Sequence, residues 1–479
     1  MLSRRTKIVA TLGPASSSAE MIARLINAGV SVVRLNFSHG NAQDHIDRSK
    51  IVRQIAIDLN RPIGVLCDLQ GPKIRIGKFE LGKITLKVGD LFVLDADCPL
   101  GNQKRVGLDY KSLPNEVVAD TLLLLDDGRI VLRVDRVHNQ QIYTLVVTGG
   151  ILSNNKGINL QGGGLAAQAL TEKDHEDIKT AVALEADYIA ISFPKSAADV
   201  ELAKSLIKKA GGSASIIAKI ERAEAITNLE EIIESSDGIM VARGDLGVEV
   251  GDAAVPGLQK RMIRMARAQN KLVITATQMM ESMISSPIPT RAEVSDVANA
   301  VLDGTDAVML SAETASGQFP LETVQAVHRI CIEAEREYKH VHSARGGEQV
   351  LQHTDEAIAS AAIYTCHHLD IKAIAALTQS GNVALRLSRA DTPVPICALS
   401  PDRVARRKLT LHRNVFPFPI NHEGKNRDEI LQEMQQVLLQ NNVVQRGDQV
   451  ILTYGEPIGT PGSTNAMQIV NVGDLKPYE

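Results

Sequence analysis

The sequence of 479 residues contains no tryptophan, and only 3% of its residues are aromatic. This scarcity argues against sugar-stacking platforms and antibody-like interfaces, which depend on aromatic side chains. The five cysteines are odd in number and include no CxxC pair, which argues against a disulfide framework or a zinc site and favours a reducing compartment. No apolar run approaches the ~18–20 residues that span a bilayer, so we expect no membrane partner.

The sequence also lacks an excess of positive charge. Its 52 Lys and Arg residues are outnumbered by 56 Asp and Glu residues, and the net charge of −4 argues against a nucleic-acid partner. The apolar run after Arg4, Arg5 and Lys7 ends at Leu12 and is too short for a signal peptide, so we predict a soluble, cytoplasmic protein. Hydrophobic residues at 44% and charged residues at 23% are typical of a globular chain.

Two common nucleotide-binding motifs are absent as well. No segment matches GxxxxGK[ST], and no GxGxxG follows a predicted strand and opens a helix. The sequence therefore contains no P-loop and does not support dinucleotide binding.

The sequence does contain a series of short β-branched runs, most of which precede a segment with apolar residues at helical spacing. The predicted strands are Lys7–Gly13, Ser31–His39, Ile63–Leu69, Ala186–Phe193, Ser215–Glu221, Gly238–Gly247, Lys271–Met279 and Ala307–Thr314. Eight such units of similar spacing are typical of parallel strands that close into a (β/α)8 TIM barrel, an α/β fold. A doubly wound open sheet uses the same alternation and is the alternative.

The gap between the third and fourth predicted strands is several times longer than the others, and its pattern changes to period two. This pattern predicts a small β-barrel lid domain inserted at the catalytic face, with glycines 162–164 as its hinge. The predicted strands of the insert are Lys83–Lys87, Leu91–Leu94, Arg129–Val134 and Tyr143–Val147.

Strand–helix alternation resumes after about residue 340 and predicts a separate C-terminal α/β domain. Its predicted helices are Asp355–His368, Val383–Arg389, Arg403–Leu409 and Arg427–Gln440. The predicted domains are therefore a discontinuous barrel (1-72 and 169-340), the inserted lid (73-168) and the C-terminal domain (341-479).

In a TIM barrel the functional face lies at the carboxyl ends of the strands. Glu221 and Asp245 lie at the ends of neighbouring predicted strands and offer two carboxylates to an octahedral divalent ion such as Mg²⁺. Lys219 and Arg34 add fixed positive charges, an arrangement suited to phosphoryl transfer. A purely structural ion pair between Lys219 and Glu221 is the alternative, which Asp245 on the next strand disfavours.

Four segments carry a resemblance to a known family. They are Arg34–Gly40 (RLNFSHG), Lys219–Glu221 (KIE), Ala242–Gly247 (ARGDLG) and Ala276–Met283 (ATQMMESM). These segments closely resemble those of the pyruvate kinases, and the resemblance extends from Thr6 to the C-terminus. It implies a barrel, a β lid and a C-terminal effector domain, usually in a homotetramer. It also implies phosphoryl transfer from phosphoenolpyruvate to ADP, the last step of glycolysis.

The resemblance implies a role for each matching residue. Glu221 and Asp245 match the ligands of Mg²⁺ (or Mn²⁺). The positions that match catalytic residues are Lys219, Thr277 and Arg34. The positions that match substrate contacts are Arg34, Lys219, Gly244, Asp245 and Thr277. The positions that match nucleotide contacts are Asn36, His39, Arg75 and Lys156. The positions that match monovalent-cation ligands are Asn36, Ser38 and Asp68.

Lys73 departs from the pattern of many relatives, which have Glu at this position. Within the family, Lys tends to accompany independence of potassium. A tethered ammonium can replace the charge of a bound monovalent ion, so the sequence predicts that K⁺ is not required.

A predicted strand–helix turn in the C-terminal domain offers an anion site, because the N-terminus of a helix presents free N–H groups. An ordinary turn is the alternative. The resemblance implies that this turn binds a phosphorylated effector, and it favours a sugar monophosphate or AMP over fructose bisphosphate. The predicted effector residues are Thr378, Ser380, Gly381, Asn382 and Ser463. Arg386 and Arg389 are expected to complete the pocket.

Two other functions remain open at this point. A barrel lyase or aldolase would stabilise a pyruvate enolate on the same metal pair, but it needs no nucleotide and leaves Lys73, Arg75 and Lys156 unexplained. A catalytically silent metabolite sensor or scaffold is the second alternative, and the intact Lys219 and Thr277 argue against it.

Overall fold

The computed structural model describes residues 4–164, 166, 168–337, 351, 353–390, 392, 394–458 and 462–474. The described chain contains a closed barrel, an inserted β domain and a C-terminal sheet with helices. The predicted boundary between residues 340 and 341 lies outside the described residues.

The chain begins with three barrel strands and two helices. Their bounds are β1 (Lys7–Thr11), α1 (Ala19–Ala28), β2 (Val32–Asn36), α2 (Ala42–Asp58) and β3 (Gly64–Asp68). Both helices begin at polar caps, since the side chain of Ser18 accepts a hydrogen bond from Met21 N and that of Asn41 accepts one from Asp44 N. The strands read as apolar runs because both of their faces are buried, one by the barrel interior and one by helices.

The insert follows β3. Its elements are β4 (Lys83–Leu86), β5 (Leu91–Asp95), β6 (Arg105–Val106), α3 (Leu113–Glu116), β7 (Leu122–Leu125), β8 (Ile130–His138), β9 (Gln141–Thr148), β10 (Gly150–Ser153) and β11 (Ile158–Leu160). A six-stranded sheet in the order β11-β7-β8-β9-β5-β6 and a two-stranded sheet of β10 and β4 share one hydrophobic core. The sequence predicted β4, β5, β8 and β9 and missed β6, β7, β10 and β11.

The chain leaves the insert through three glycines, all with positive φ. Gly163 has a φ of +78°, which favours glycine, and a Cβ there would lie 2.6 Å from the Oε2 atom of Glu224, so the Glu224 side chain would have to move. The Oε1 atom of the same glutamate accepts a hydrogen bond from Gly164 N at 2.5 Å. A barrel carboxylate therefore fixes the predicted hinge in the observed conformation.

The rest of the barrel follows this exit. Its elements are α4 (Glu172–Ala183), β12 (Tyr188–Ile191), α5 (Ala197–Lys209), β13 (Ser215–Ile220), α6 (Ala223–Thr227), α7 (Leu229–Ser235), β14 (Gly238–Ala242), α8 (Arg243–Val250), α9 (Val255–Ala268), β15 (Leu272–Ala276), α10 (Arg291–Leu302), β16 (Ala307–Leu310), α11 (Ala312–Ala315) and α12 (Pro320–Glu337). Short 3-10 helices occupy Pro14–Ser16, Asp252–Ala254 and Glu281–Ile284.

The eight barrel strands close in the order β1-β16-β15-β14-β13-β12-β3-β2, which confirms the predicted TIM barrel. All neighbours pair in parallel, so the strands have their carboxyl ends at the same mouth. All eight predicted barrel strands are longer than the observed ones. The largest error is the sixth, predicted as Gly238–Gly247, because β14 ends at Ala242 and the next residues form α8.

The C-terminal domain is an α/β unit, as predicted. Its elements are α13 (Thr354–His368), β17 (Ile371–Leu377), α14 (Asn382–Arg389), β18 (Ile396–Ser400), α15 (Arg403–Leu409), β19 (Val415–Pro419), α16 (Arg427–Gln440), β20 (Gln449–Gly455) and β21 (Thr464–Asn471). The strands form one sheet in the order β19-β18-β17-β20-β21, in which only β21 is antiparallel to its neighbour. Within the described ranges, no helix is both long and apolar enough to cross a membrane.

Candidate active site at the barrel mouth

Arg34 in the middle of β2 is buried and bound to two neighbouring strands. Its Nε atom donates to Asp68 Oδ2 at 2.7 Å, and its Nη1 atom donates to Thr11 Oγ1 at 3.0 Å. Burial alone would raise the pKa of Asp68, but the positive charges of Lys219 and Arg34 outweigh it and hold that pKa below its usual value. Asp68 is therefore ionised and fixes the guanidinium in the mouth of the barrel.

Lys219 on β13 is held by three oxygen atoms. Its Nζ atom lies 2.8 Å from Glu221 Oε1 and 3.3 Å from Asp68 Oδ1, and it donates to Ser192 Oγ at 2.7 Å. Burial lowers the pKa of a lysine, but the two carboxylates reverse this effect and raise the pKa of Lys219 above its ordinary value. The ammonium is therefore a fixed positive charge at the mouth.

Glu221 is buried directly after β13, and its Oε2 atom accepts a hydrogen bond from Phe193 N at 2.9 Å. Burial raises the pKa of Glu221, and the negative charge of Asp245 raises it further against the opposing effect of Lys219. The two carboxylates are thus close enough to repel each other, which is the electrostatic condition that a shared cation relieves.

Asp245 lies in the first turn of α8 rather than on a strand. Its Oδ1 atom accepts a hydrogen bond from Lys73 Nζ at 2.8 Å, and the same ammonium lies 4.0 Å from Asp127 of the insert. Burial lowers the pKa of Lys73, but Asp245 outweighs it and raises that pKa. Lys73 thus connects the insert to Asp245, one of the two carboxylates Glu221 and Asp245.

The donor set fits a magnesium ion. Among the described residues there is no group of three or more His, Cys, Asp or Glu side chains that could hold a metal. Mg²⁺ instead uses one or two protein carboxylates and keeps its remaining positions for water and substrate phosphate. Glu221 and Asp245 provide that number of carboxylates.

Thr277 lies beside α8 at the end of β15. Its hydroxyl accepts a hydrogen bond from Gly244 N at 2.8 Å and donates to Ala276 O at 2.7 Å. Thr277 and Gln278 have φ values of +66° and +53°, in the left-handed region that non-glycine residues rarely occupy. Such backbone costs about 1–3 kcal/mol per residue and clusters at functional sites.

The residues that match nucleotide contacts lie at the junction of mouth and insert. Arg75 Nη1 donates to Asn155 O at 3.0 Å, and Lys156 Nζ lies 2.7 Å from Asp126 Oδ1. Burial lowers the pKa of His39, and the charges of Arg75 and Arg34 lower it further, so His39 lies within the field of both arginines.

The match to monovalent-cation ligands includes Asn36, Ser38 and Asp68. The side chain of Asn36 accepts a hydrogen bond from Ser38 N at 3.1 Å, and Asn36 pairs with Asp68 between β2 and β3. The structure thus brings these three residues together.

Most of the predicted effector residues line one cleft in the C-terminal domain. The lining residues among them are Thr378, Ser380, Asn382 and Ser463. Gly381 has a φ of +92°, and its N–H donates to Thr378 Oγ1 at 2.9 Å.

The two arginines expected in this cleft differ, because Arg386 pairs with Asp355, which lines the cleft, whereas Arg389 is engaged elsewhere. Arg386 pairs with Asp355 at 2.7 Å and with Glu356, and Arg389 pairs with Asp306 of the barrel at 2.6 Å. The expectation that Arg389 completes the effector pocket is therefore wrong. The reason is that it lies in the last turn of α14, at the opposite end from the effector turn.

The structure adds residues at the mouth that were not assigned a role from the sequence. Glu313 is buried and accepts hydrogen bonds from Met280 N at 3.1 Å and Ser311 N at 2.6 Å, which ties α11 to the segment after β15. Arg243 donates to the carbonyl groups of Ala276 and Thr277. Arg243 directly precedes Gly244 and Asp245 in the sequence, and this position could have indicated that it supports the predicted substrate site.

Comparison with known proteins gives one consistent result. The family model of the pyruvate kinase barrel domain matches residues 3–324, and that of the pyruvate kinase alpha/beta domain matches residues 356–470. A pyruvate kinase of Buchnera aphidicola subsp. Schizaphis graminum is 51% identical over 98% of this chain and 98% of its own. Pyruvate kinase II of Salmonella typhimurium is 49% identical, with 98% and 99% covered. The crystal structure of a pyruvate kinase from Cryptosporidium parvum matches with a TM-score of 0.91 at 34% identity, over 98% of this chain and 96% of that one.

Proposed function

Because the chain belongs to the pyruvate kinase family, we propose that it transfers the phosphoryl group of phosphoenolpyruvate to ADP, with Mg²⁺ (or Mn²⁺) at Glu221 and Asp245. The P–O bond of phosphoenolpyruvate breaks, an oxygen of the ADP β-phosphate takes the phosphoryl group, and the enolate takes a proton to become pyruvate. The observation that carries the proposal is the position of Lys219, whose ammonium is held between Glu221 and Asp68 at the mouth of the barrel.

Lys219 and Arg34 stabilise the phosphoryl group during its transfer. Negative charge spreads over the equatorial oxygens in the transition state, and fixed positive charges lower its energy without reorganisation. Both side chains are already held by Asp68, at 3.3 Å and 2.7 Å, so neither must be ordered during the reaction. When bound, the divalent ion supplies further neutralisation of the same charge.

The carboxylate of the substrate binds at the start of α8. The N–H groups of Gly244 and Asp245 lie in its first turn, where the helix dipole favours an anion. The hydroxyl of Thr277 lies beside them, 2.8 Å from Gly244 N. We assign to Thr277 contact with the carboxylate and with the methylene face on which the enolate is protonated.

The phosphates of ADP bind between the mouth and the insert. Asn36, His39, Arg75 and Lys156 supply polar and cationic contacts there. This placement is supported by the charges of Arg75 and Arg34 that act on His39. The insert then acts as a lid whose hinge is formed by glycines 162–164.

Lys73 makes the reaction independent of potassium. The support for this assignment is its ammonium, which already lies in the site at 2.8 Å from Asp245. Its contacts are with Asp245 and Asp127, and from this position the ammonium supplies the positive charge that a K⁺ ion at Asn36, Ser38 and Asp68 would otherwise supply.

A phosphorylated effector binds the cleft lined by Thr378, Ser380, Asn382 and Ser463, next to Gly381. The lining residues that the structure describes include hydroxyls, His422 and Asp355 but neither Lys nor Arg, and Asp355 pairs with Arg386 at 2.7 Å. A cleft poor in cations suits a ligand with one phosphate, such as a sugar monophosphate or AMP, better than a bisphosphate. We further propose that the enzyme is a cytoplasmic homotetramer that performs the last step of glycolysis.

One coupled assay of pyruvate formation tests these assignments. We expect pyruvate to form only with both ADP and Mg²⁺ or Mn²⁺, with no gain when K⁺ replaces Na⁺, and with activation by a sugar monophosphate or AMP. Pyruvate formed without ADP would favour the lyase alternative. A many-fold gain from K⁺ would contradict the role of Lys73, and the absence of activation would contradict the effector site.

A further inference from the structure

We propose that Arg243 is a positioning residue, which holds Thr277 in place for the reaction, and that Asp296 in turn holds Arg243. The inference rests on the proposed contact of Thr277 with the substrate. Arg243 is the first residue of α8 and directly precedes Gly244 and Asp245. It lies between two parts of the carboxylate site, the helix N-terminus and the turn after β15.

The turn that carries Thr277 needs external support. Threonine is β-branched, and its φ of +66° is followed by a φ of +53° at Gln278. Left-handed conformations at two successive non-glycine residues persist only where surrounding contacts hold them. The contacts of this turn therefore determine where the Thr277 hydroxyl lies.

Arg243 provides these contacts through its planar guanidinium. Nη2 donates to Thr277 O at 2.7 Å and Nε donates to Ala276 O at 3.2 Å. The carbonyl group of Thr277 and that of the residue before it are therefore both fixed. Nη2 also lies 2.7 Å from the sulfur of Met279. A lysine could not make this fork of donors, because its ammonium is a single point charge.

Asp296 on α10 fixes the other side of the guanidinium. Its Oδ1 atom lies 2.7 Å from Arg243 Nη1, and the Arg243 side chain is only 10% exposed. The carboxylate therefore compensates a nearly buried positive charge and sets its orientation. Loss of Asp296 should loosen the guanidinium without removing its donors.

Loss of Arg243 should affect the substrate carboxylate site and not the metal site. The Thr277 hydroxyl binds Gly244 N and Ala276 O, so a relaxed turn would misplace the hydroxyl and the N–H group that are assigned to the substrate carboxylate. Lys219 and Glu221 belong to another strand and are fixed by Asp68, Ser192 and Phe193 N. Asp245, the other proposed metal ligand, lies two residues after Arg243 but is held separately by Lys73 Nζ at 2.8 Å, so metal binding should survive the loss of Arg243.

The chain contains a matched control at the opposite end of the barrel. Arg53 donates to Ile63 O at 2.9 Å and to Glu185 O at 2.8 Å, and it pairs with Asp187 at 3.0 Å. Glu185, like Thr277, is a non-glycine residue with positive φ, at +54°. Arg53→Met therefore removes the same kinds of contact as Arg243→Met, but away from the mouth.

The test compares Arg243→Met, Arg243→Lys, Asp296→Asn and Arg53→Met in the full-length enzyme. It measures the KM for phosphoenolpyruvate, the KM for ADP, Mn²⁺ affinity by electron paramagnetic resonance, and the exchange of pyruvate methyl protons for deuterium by NMR with ATP and Mg²⁺ present. For Arg243→Met we expect an exchange rate lowered about 10²-fold and a KM for phosphoenolpyruvate raised about 10-fold. We expect Mn²⁺ affinity and the KM for ADP to stay within about twofold of their original values.

The other variants should show smaller losses of the exchange rate. Arg243→Lys should recover only part of the exchange rate, and Asp296→Asn should lower it by about 10-fold or less, since the donors remain. Arg53→Met should leave all four readouts within about twofold. If Arg243→Met fails to fold, Asp296→Asn and Arg243→Lys still decide the matter through the same split between phosphoenolpyruvate and ADP.

Two results would overturn the proposal. One is an unchanged exchange rate and KM for phosphoenolpyruvate in the Arg243 and Asp296 variants. The other is a uniform loss in every readout that Arg53→Met reproduces, which would show a general structural role. Thr277→Val separates this inference from the proposed function. If Thr277→Val has no effect on exchange, the role assigned to Thr277 fails; if it has an effect and Arg243→Met has none, only the inference fails.

Discussion

The two ends of the barrel both contain buried carboxylates beside basic side chains, but Glu221 at the mouth and Asp306 at the base are in opposite electrostatic states. At the base, Asp306 accepts hydrogen bonds from Arg389 at 2.6 and 2.9 Å and from the backbone of Val273 and Arg413. Burial would raise the pKa of Asp306, but Arg389 and these donors lower it below its usual value. At the mouth, the pKa of Glu221 remains raised even though Lys219 lies 2.8 Å away.

The difference shows why burial of charge does not by itself identify a functional site. The Asp306 carboxylate is satisfied by partners within the chain, so it joins the barrel to the C-terminal domain. The Glu221 carboxylate is placed near a second carboxylate, Asp245, whose charge raises the pKa of Glu221 although each carboxylate lies 2.8 Å from a lysine ammonium. An unfavourable pair of like charges at a barrel mouth is typical of a site arranged for a cation.

The largest expected effect is on turnover at the mouth. Lys219→Met should lower kcat by roughly 10³–10⁵-fold, because it removes a fixed charge from the transferring phosphoryl group. The control is Lys7→Met at the base, where a buried lysine donates to Val415 O at 2.6 Å and burial lowers its pKa to about 7. Steady-state kinetics should show the Lys7 variant within about threefold of the original kcat. Equal losses in the two variants would remove the distinction between mouth and base.

The next largest effect is on stability at the base. Asp306→Asn should lower the free energy of unfolding by about 3–5 kcal/mol, because it leaves Arg389 buried without its counter-charge. Urea denaturation of the variant measures the change. Asp68→Asn is not a suitable control, since Asp68 also pairs with Lys219 and Arg34, to which we assign roles in the reaction. An unchanged stability in Asp306→Asn would contradict a structural role for this pair.

A smaller effect is expected on metal affinity. Glu221→Gln should weaken Mn²⁺ binding by roughly 10–100-fold, since it removes one of two carboxylate ligands. It should not lower the free energy of unfolding as Asp306→Asn does, because it also removes repulsion from Asp245. Electron paramagnetic resonance of Mn²⁺ compares the two variants directly. Weaker binding in Asp306→Asn than in Glu221→Gln would reverse the assignment.

The smallest effect is on the pH dependence of stability. Burial raises the pKa of Glu249, at the end of α8, from its ordinary value of 4.5 to about 7, and the charge of Glu224 adds to the shift. The folded state therefore binds an extra proton, and this contribution to stability is present below pH 4.5 and lost as pH rises to about 7. Glu249→Gln should flatten the unfolding curve in this interval, as measured by urea denaturation at several pH values.

Asp306 should contribute to stability with the opposite pH dependence to Glu249. Its lowered pKa gives a contribution that is present above its ordinary value of 3.8 and lost as pH falls through the folded-state pKa. Asp306→Asn should therefore change the acid limb of the curve and leave the interval near neutrality unaffected. Parallel curves for the original protein and Glu249→Gln would contradict the assignment for Glu249.

The sequence pattern predicted an element correctly where that element has its own periodicity. The helices Arg403–Leu409 and Arg427–Gln440 were predicted with their observed bounds. The strand β7 was missed because Leu122–Leu125 is apolar without alternation, so period two could not reveal it. The strand β14 was extended too far because Leu246 and Val248 continue the apolar pattern into α8.

The contacts of the candidate site required the fold. Lys73 and Asp245 are separated by 172 positions, and no spacing rule brings them together. The sequence predicted that Lys219 and Glu221 share a face because they are two residues apart on one strand. The hydrogen bonds from Arg243 to the turn of Thr277 follow from where β14 ends, which is the boundary that the sequence misplaced.

The central claim is that Glu221 and Asp245 bind one divalent ion opposite the ammonium of Lys219. Anomalous diffraction from crystals of the enzyme grown with Mn²⁺ and phosphoenolpyruvate tests it most directly. The account predicts a single manganese peak in contact with both carboxylates and with the substrate. A peak bound to other side chains, or to only one of these two with the substrate elsewhere, would contradict it.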